Sequence, residues 1–240
     1  MPPPRALEPA GIALVDKPAG PSSFALVAAL RRRTGARTGH AGTLDPFATG
    51  LLLLLSGWAT KLVPCFLGLD KRYLADVDLT ARTSTGDPEG ELVERHPPPE
   101  RAELELRLAD LRGSVELPIP AAAAVKIGGE RAYRLARRGV EVDMPVRRSR
   151  VHVLDVIAYS GAEVTLDLRV SSGTYVRSIA EALGGHCRTL RRTEIGPFAV
   201  EEASSIEAPD FLLPADALRR LPAEAAAKAP KDALVRAGLA

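Results

Sequence analysis

The segment at residues 39–50 reads Gly-His-Ala-Gly-Thr-Leu-Asp-Pro-Phe-Ala-Thr-Gly. Its Asp45-Pro46 pair predicts a turn, because proline presets its own φ and keeps the preceding residue out of the helical region. Glycines on both sides of the aspartate let the backbone come close to a ligand. A carboxylate displayed in this way is either a turn-forming residue or a catalytic group, and this segment alone favours the turn-forming residue.

The residues around this turn predict two strands and a helix. The apolar run Leu51–Leu55 lies between two glycines and predicts a core strand, and Ile12–Val15 predicts a second, shorter one. Ser22 or Ser23 can cap a helix that continues to about Arg33. The apolar positions that recur at helical spacing in this helix are Phe24, Val27, Ala28 and Leu30.

The second half of the chain mixes strands and helices. Period-two alternation in Tyr73–Leu79 predicts a half-buried strand. Further strands are expected at Val151–Ala158 and Glu163–Val170, and helices at Glu100–Leu111 and Tyr175–Leu183. Because strands and helices do not alternate strictly, we predict an α+β fold with a mixed, mainly antiparallel sheet flanked by helices.

The composition predicts a folded chain with a basic surface. Its 240 residues suffice for one large domain, and 32 Lys and Arg against 30 Asp and Glu leave a net charge of only +2. The arginines nevertheless cluster, which favours RNA or another polyanion as partner. The clusters are Arg31–Arg33 with Arg37, Arg131 with residues 134–138, Arg147–Arg150, and Arg188–Arg192.

Several classes of function are disfavoured. Cys65 and Cys187 do not form a Cys-x-x-Cys pair, and the histidines show no metal-ligand spacing, so we expect no metal site. The apolar run at Leu51–Leu55 is far shorter than the ~20 residues that cross a membrane. The start of the chain has no apolar signal core, so we expect a cytoplasmic protein.

The composition changes after about Ser205, where alanine, proline and lysine become frequent. We therefore predict a catalytic domain at residues 1–205 and a short C-terminal tail at residues 206–240. The tail is too short for a complete RNA-binding module, and we expect it to hold a helix or two.

Five segments, in the right order, resemble the motifs of the bacterial tRNA pseudouridine-55 synthases, the TruB family. They cover about residues 11–200, and the segment around Asp45 resembles the family's catalytic motif. The others are Asp-Lys-Pro-Ala-Gly-Pro-Ser-Ser (16–23), Asp-Lys-Arg-Tyr (70–73), Thr-Ser-Thr-Gly-Asp-Pro-Glu-Gly (83–90) and Gly-Thr-Tyr-Val-Arg-Ser (173–178). Leu-Arg-Arg-Thr (190–193) matches a further basic motif of the family. The resemblance implies the pseudouridine synthase fold.

The resemblance also implies a reaction in which the N1–C1′ bond of a tRNA uridine breaks and the uracil rejoins C1′ through C5. Asp45 is the implied catalytic group. The residues leave open whether its carboxylate attacks C1′, attacks C6 or removes a proton from C2′. The reaction has no redox or phosphoryl-transfer step, so no cofactor is expected.

The same resemblance assigns the substrate-binding residues. Arg177 is the implied cation that pairs with Asp45, since an isolated buried carboxylate would be protonated. Tyr73 is the implied stacking surface for a flipped-out base. His40 is expected to contact the RNA, and Lys17 and Tyr175 to support the site, Lys17 by holding the first strand against the Asp45 loop.

Three functions are compatible with this sequence. The first is a stand-alone synthase that makes pseudouridine 55 in the T-loop of tRNA, as a monomer, with the T-arm as its substrate and no obligatory protein partner. The second is a tRNA-binding folding helper that acts without catalysis. The third is the guide-RNA-dependent branch of the family, which the short C-terminus disfavours. The alanines at 121–124 stand where the family has a serine and an aromatic or valine, so contacts at this part of the site are expected to differ.

Overall fold

The computed structural model describes residues 10–123, 125–127, 129–131 and 144–239. These residues form two compact units. The first unit comprises the described residues up to Arg72 and from Arg191 onwards, and the second spans Tyr73–Leu190. The arginines predicted as a cluster at 134–138 lie outside the described residues.

The strands are short except at the centre of each unit. They are β1 Gly11–Lys17, β2 Thr38–His40, β3 Thr49–Ser56, β4 Lys71–Asp78, β5 Ala81–Thr83, β6 Leu92–Arg95, β7 Gly113–Pro118, β8 Lys126–Ile127, β9 Glu130–Arg131, β10 Val146–Tyr159, β11 Glu163–Val170, β12 His186–Ile195, β13 Phe198–Ala199 and β14 Phe211–Leu212.

The α-helices are α1 Ser23–Thr34, α2 Val63–Leu67, α3 Arg101–Asp110, α4 Val176–Ala182, α5 Pro214–Arg219, α6 Ala223–Ala226 and α7 Lys231–Arg236. Two 3₁₀ turns lie at Gly57–Leu62 and Val200–Glu202. Pro64 lies in the first turn of α2, where its missing N–H costs least, and the residues before it form the first 3₁₀ turn.

The sheet of the first unit is centred on β3. Strand β1 pairs with β3 and β14, and β2 pairs with β3, in each case antiparallel. Strand β12 pairs with β3 in parallel, with Arg191 opposite Thr49 and Arg192 opposite Gly50. This arrangement holds the segment before β3, which contains Asp45, next to β1, β2 and the end of β12.

Strand β3 is buried on both faces, which explains its continuous apolar run. Leu51, Leu53 and Leu55 belong to one apolar cluster, whereas Leu52 and Leu54 belong to another. All five are completely buried. The prediction of a core strand at Leu51–Leu55 is confirmed.

Helix α1 covers one of these clusters with Val27 and Leu30, as the spacing indicated, but not with Phe24. It buries Leu26, Val27 and Leu30 against the strands. Phe24, which the spacing placed on the apolar stripe, is 73% exposed, and this part of the prediction was wrong. Ser23 is buried and hydrogen-bonded, so it takes the inward position in the first turn, and Phe24, ~100° further round the helix, is left in solvent.

The C-terminal residues pack on the opposite face of the first unit. Ala217, Leu218, Leu221, Ala225 and Ala233 join the cluster that contains Leu51 and Leu53. The segment after Ser205 thus contains three short helices and β14, and it contributes to the core of the first unit. The boundary at residue 205 stays a prediction.

The second unit contains a sheet with the order β4-β11-β10-β7, of which β10 pairs antiparallel with both β11 and β7. Strand β4 alternates buried and partly exposed residues, as predicted for 73–79. Helix α3 buries Leu104 and Leu108, and α4 buries Val176, Ile179 and Ala180. The prediction of an α+β fold with a mixed, mainly antiparallel sheet is confirmed.

Candidate active site

Asp45 lies, half-buried, in the irregular segment between β2 and β3 of the first unit. Lys17, at the end of β1, is completely buried. Its ammonium donates hydrogen bonds to the carbonyl oxygens of Pro46 at 3.0 Å and Ala48 at 2.6 Å, and to its neighbour Pro18 at 2.9 Å. Lys17 therefore holds β1 against the Asp45 loop, and its role in substrate binding stays a prediction.

Ser23 holds the loop from the side of α1. Its hydroxyl donates to the carbonyl oxygen of Leu44 at 2.9 Å and accepts from the amide of Leu44 at 2.8 Å. Both backbone groups of the residue before Asp45 are thereby satisfied by one buried side chain. The exposed neighbour Ser22 caps α1 by accepting from the amide of Ala25 at 3.2 Å.

Arg192 holds both ends of the loop, and the sequence analysis missed it. Its side chain is 1% exposed, and Nε donates to Leu51 O at 2.7 Å. The terminal nitrogens donate to Thr43 O and Gly42 O, each at 3.2 Å. Within the described part of the chain, no carboxylate pairs with this guanidinium, so three backbone carbonyls alone compensate its burial.

Two further basic groups lie near Arg192, and its charge acts on both. The pKa of Lys71 is lowered to about 8, mainly by burial and to a smaller extent by the Arg192 charge, and Asp70 opposes the shift. Burial and then the same Arg192 charge lower the pKa of His40. His40 is therefore neutral at pH 7, and it is suited to contact a base or a hydroxyl and not to pair with a phosphate.

One atom of His40 lacks a partner. Its Nδ1 is buried and makes no hydrogen bond to any described residue. Buried polar groups are normally satisfied, so this atom is a candidate contact for a bound ligand. The predicted RNA contact of His40 rests on this atom and stays a prediction.

Arg177 lies in the second unit, in the first turn of α4, and is 2% exposed. Its Nη1 forms an ion pair with Asp87 Oδ2 at 3.1 Å and donates to Thr85 O at 2.8 Å. Its Nη2 lies 3.4 Å from Ala122 O, within the alanine-rich segment. The arginine is therefore held in one orientation by a buried carboxylate and by backbone carbonyls.

Asp87 is itself positioned by its own loop. Its Oδ1 accepts from Thr85 Oγ1 at 2.5 Å and from the amide of Glu89 at 3.0 Å. The loop packs closely: a Cβ added at Gly90 would collide with the Thr85 side chain. Asp87 lies in the 83–90 motif that resembles the family, and the structure shows that it is a partner of Arg177. The predicted pairing of Arg177 with Asp45 stays a prediction.

A second carboxylate lies near Arg177. Burial raises the pKa of Glu181, one turn further along α4, and Arg177 and Arg82 oppose this shift. The charge of Asp87 raises it further. The Arg177 guanidinium thus lies among two carboxyl groups of its own unit.

The two tyrosines of the predicted set also lie in the second unit. Tyr73 is 7% exposed on β4, and Tyr175 is the N-cap residue of α4 with extended backbone dihedrals. Their roles in base stacking and in support of the site stay predictions. The structure groups His40, Lys17 and Asp45 in one unit and Tyr73, Tyr175 and Arg177 in the other.

A signal for Arg192 was present in the sequence. Two adjacent arginines in a strand must point to opposite faces, so one of the Leu-Arg-Arg-Thr pair faces inward. Arg191 is the outward one: it pairs with Asp16 at 3.0 and 2.8 Å, with both side chains 40% exposed.

Other kinds of site are not evident in the described ranges. No group of three or more His, Cys, Asp or Glu side chains that might hold a metal occurs among the described residues. Both cysteines, Cys65 and Cys187, are buried and form no disulfide, and the Cys187 thiol donates to Thr189 O at 3.2 Å. No helix in the described ranges has the length and apolar character needed to cross a membrane.

Comparisons with known proteins show the family of this chain. A family model described as TruB family pseudouridylate synthase (N terminal domain) matches residues 31–176. The tRNA pseudouridine synthase B of Thermobifida fusca (strain YX) is 42% identical over 214 residues, which cover 82% of this chain and 73% of that protein. The protein of the same name from Bordetella pertussis (strain Tohama I) is 38% identical over 228 residues, which cover 89% of this chain and 93% of that protein.

A solved structure supports the same assignment. The structure described as "Crystal Structure of a Cbf5-Nop10-Gar1 Complex" contains a chain that matches with a TM-score of 0.63 and 26% identity. The match covers 82% of this chain and 52% of that chain, so this protein spans about half the length of the solved one. The order of the motifs, the fold and the sequence identity lead to one conclusion: the chain belongs to the TruB family of pseudouridylate synthases.

Proposed function

We propose that this protein converts uridine 55 in the T-loop of tRNA into pseudouridine, with Asp45 acting on the flipped-out nucleotide. The observation that supports the proposal is that the loop carrying Asp45 is held in place by buried side chains. Lys17, Ser23 and Arg192 bind the backbone of its loop on both sides of the aspartate, at Gly42–Leu44 and at Pro46–Leu51. A carboxylate on so firmly held a loop is preorganised for one geometry.

The proposed reaction is an isomerisation, in which no atom is gained or lost overall. The N1–C1′ bond breaks, a C5–C1′ bond forms, the C5 proton leaves, and N1 gains a proton. Asp45 is suited to act as nucleophile or as base, and Arg177 to stabilise negative charge near it. Tyr73 is proposed to stack on the base. His40 contributes its neutral imidazole, with Tyr175 and Lys17 as supports.

We further propose that the protein acts on the T-arm without a protein partner, as a cytoplasmic monomer. The relatives named tRNA pseudouridine synthase B support tRNA as substrate. The Bordetella pertussis relative, 93% of which is covered by the match, supports activity in a chain of this size. Sedimentation of the purified protein, alone and with a T-arm, tests the monomeric state.

The direct test uses a T-arm stem-loop carrying tritium at C5 of its single T-loop uridine, with metal chelated and no cofactor added. We expect the wild-type protein to release the tritium. Asp45→Asn should bind the RNA but release none, and normal release from this variant would refute the catalytic role of Asp45. Asp216→Asn, in a surface ion pair of the same unit, serves as the control and should react normally.

The folding-helper function predicts another result. A protein that only remodels tRNA would bind the stem-loop tightly and release no tritium even as wild type. That outcome would reject the synthase proposal for this substrate and favour the alternative.

A further inference from the structure

Helix α1 and the segments beside it form a surface whose positive charge is not compensated. Residues 18–44 contain no aspartate or glutamate, but they contain Arg31, Arg32, Arg33 and Arg37. All four arginines are exposed. Among the described residues, none of these four side chains forms an ion pair.

Other arginines in the same unit behave differently. Arg72, Arg191, Arg219 and Arg220 each pair with a carboxylate, namely Glu194, Asp16, Asp216 and Glu202. The end of α1 is therefore a concentrated source of positive potential in a chain that is nearly neutral overall. Guanidinium groups are well suited to bind phosphate oxygens.

The opposite end of α1 is attached to the Asp45 loop. The Ser23 hydroxyl bonds to both the amide and the carbonyl of Leu44, the residue before Asp45. Phe24 follows Ser23 directly and is 73% exposed. A large aromatic ring is thus held in solvent one residue away from the side chain that anchors the catalytic loop.

Phe24 and the arginines lie on connected parts of one surface. Arg31 is seven residues after Phe24, so it lies on nearly the same stripe of the helix. The helix has 12 residues, which corresponds to a length of ~18 Å. An exposed aromatic ring at the end of the helix that is bonded to the Asp45 loop, and a group of exposed arginines at its other end, are the two elements with which proteins bind single-stranded nucleic acid.

We propose that the exposed face of α1 is an RNA-binding surface: Phe24 stacks on an unpaired base beside the nucleotide at Asp45, and Arg31–Arg33 with Arg37 bind backbone phosphates further along. The identity of the RNA as a tRNA T-arm rests on the proposed function. The surface itself depends only on the exposure and the charge of α1.

The first test measures the salt dependence of RNA binding. The triple variant Arg31→Gln, Arg32→Gln, Arg33→Gln is compared with the charge-matched triple variant Arg219→Gln, Lys231→Gln, Arg236→Gln, whose sites are all exposed on α5 and α7. Binding of a fluorescent T-arm stem-loop is followed by anisotropy from 50 to 300 mM salt. We expect the α1 variant to lower the slope of log K against log salt by about 2, at ~0.7 per phosphate contact.

The control should leave that slope unchanged. Equal slopes for the two triple variants would show that only net charge matters and would overturn the arginine part of the proposal. The α1 variant could instead bind the stem-loop as the wild type does but bind a strongly acidic protein less well. That result would assign the surface to a protein partner and would also overturn the RNA-binding proposal.

The second test isolates stacking. Phe24→Leu keeps an apolar side chain but removes the ring, and Phe24→Tyr keeps the ring. We expect Phe24→Leu to weaken stem-loop binding by about 5-fold to 100-fold, consistent with the usual loss per stacked base, and to raise KM more than it lowers kcat. Phe24→Tyr should bind within about 2-fold of the wild type on the same reasoning.

Unchanged binding by Phe24→Leu would overturn the stacking role. Thermal unfolding of each variant verifies folding, which the exposure of Phe24 should leave intact. These binding experiments test the α1 surface independently of the proposed function. If the wild type binds the stem-loop but releases no tritium from C5, the synthase proposal fails, but the binding comparisons still show whether α1 binds RNA.

Discussion

Replacing Arg192 with lysine tests whether its buried guanidinium positions the Asp45 loop. Lysine keeps the positive charge but offers one nitrogen in place of three. The acceptors of Arg192 lie at both ends of the loop: Leu51 O accepts from Nε at 2.7 Å, and Thr43 O and Gly42 O each accept at 3.2 Å. Because different nitrogens of the guanidinium bind the two ends, we expect the single ammonium of lysine to keep the acceptor at one end only.

The expected cost follows from these three bonds. A hydrogen bond from a charged donor contributes about 1.5–3 kcal/mol, and lysine should keep one of the three, so the free energy of unfolding should fall by about 3–6 kcal/mol. This is a large share of the ~5–15 kcal/mol that stabilises a typical domain. Because the loop carries Asp45, kcat should also fall, by about 100-fold if the carboxylate is displaced by ~1 Å.

Arg191→Lys provides a matched control one residue away. Its partner Asp16 is 40% exposed, and an exposed pair of this kind contributes only about 0–1 kcal/mol. Urea unfolding gives the stability of both variants, and single-turnover tritium release together with stem-loop binding separates kcat from affinity. We expect Arg192→Lys to lose stability and kcat while it retains its affinity for RNA.

Two results would refute this reasoning. If Arg192→Lys is as stable and active as Arg191→Lys, the three carbonyl contacts do not position the loop. If it loses affinity and kcat by the same factor, Arg192 acts on RNA binding and not on the geometry of Asp45.

Three further predictions follow from buried groups. Because burial lowers the pKa of Lys71 from 10.5 to about 8, the folded state binds fewer protons than the unfolded chain in this pH range, and wild-type stability should rise with pH there. The difference in unfolding free energy between Lys71→Met and the wild type, measured in urea, should therefore change in favour of the wild type by up to about 3 kcal/mol between pH 8 and 10.5, at 1.36 kcal/mol per pKa unit. The same pH dependence in both proteins would contradict this. Asp87→Asn should cost about 3–5 kcal/mol in unfolding free energy by leaving a buried guanidinium without its carboxylate, and adding Arg177→Met should restore part of the loss; no restoration would show that the ion pair is not the cause. Gly50→Ala should lower the melting temperature strongly, because Gly50 has φ +101° and a Cβ there would collide with the β12 backbone. Gly39→Ala should leave the melting temperature nearly unchanged, because a Cβ at Gly39 meets open space. Similar melting temperatures for the two variants would contradict the packing argument.

The local patterns predicted most of the elements because they depend on short-range periodicity and turn chemistry. The run at Leu51–Leu55 indicated a strand buried on both faces, and Asp-Pro indicated the irregular turn that holds Asp45. The exposed Phe24 was not predicted. Helical spacing alone does not determine which of two adjacent stripes packs on a core, and here the buried hydrogen bonds of Ser23 decide it.

The candidate site was predictable in its residue types but not in its pairings. The resemblance identified Asp45, Arg177 and the motif that contains Asp87. Only the structure showed that Asp87 pairs with Arg177 and that Arg192 donates hydrogen bonds to the Asp45 loop. The first pair lies 90 residues apart along the chain, and Arg192 lies about 150 residues from its acceptors Thr43 and Gly42.

The sequence alone determined the family and the α+β class and indicated the aspartate that we propose as catalytic, because each rests on a contiguous motif or a local period. Only the tertiary structure decided which cations are buried and what compensates them. Arg191 and Arg192 are identical neighbours in the sequence, yet one is 40% exposed in a surface ion pair and the other is enclosed by backbone carbonyls. The physical reason is that the cost of burying a charge depends on desolvation and on nearby partners, and both are set when distant segments pack together.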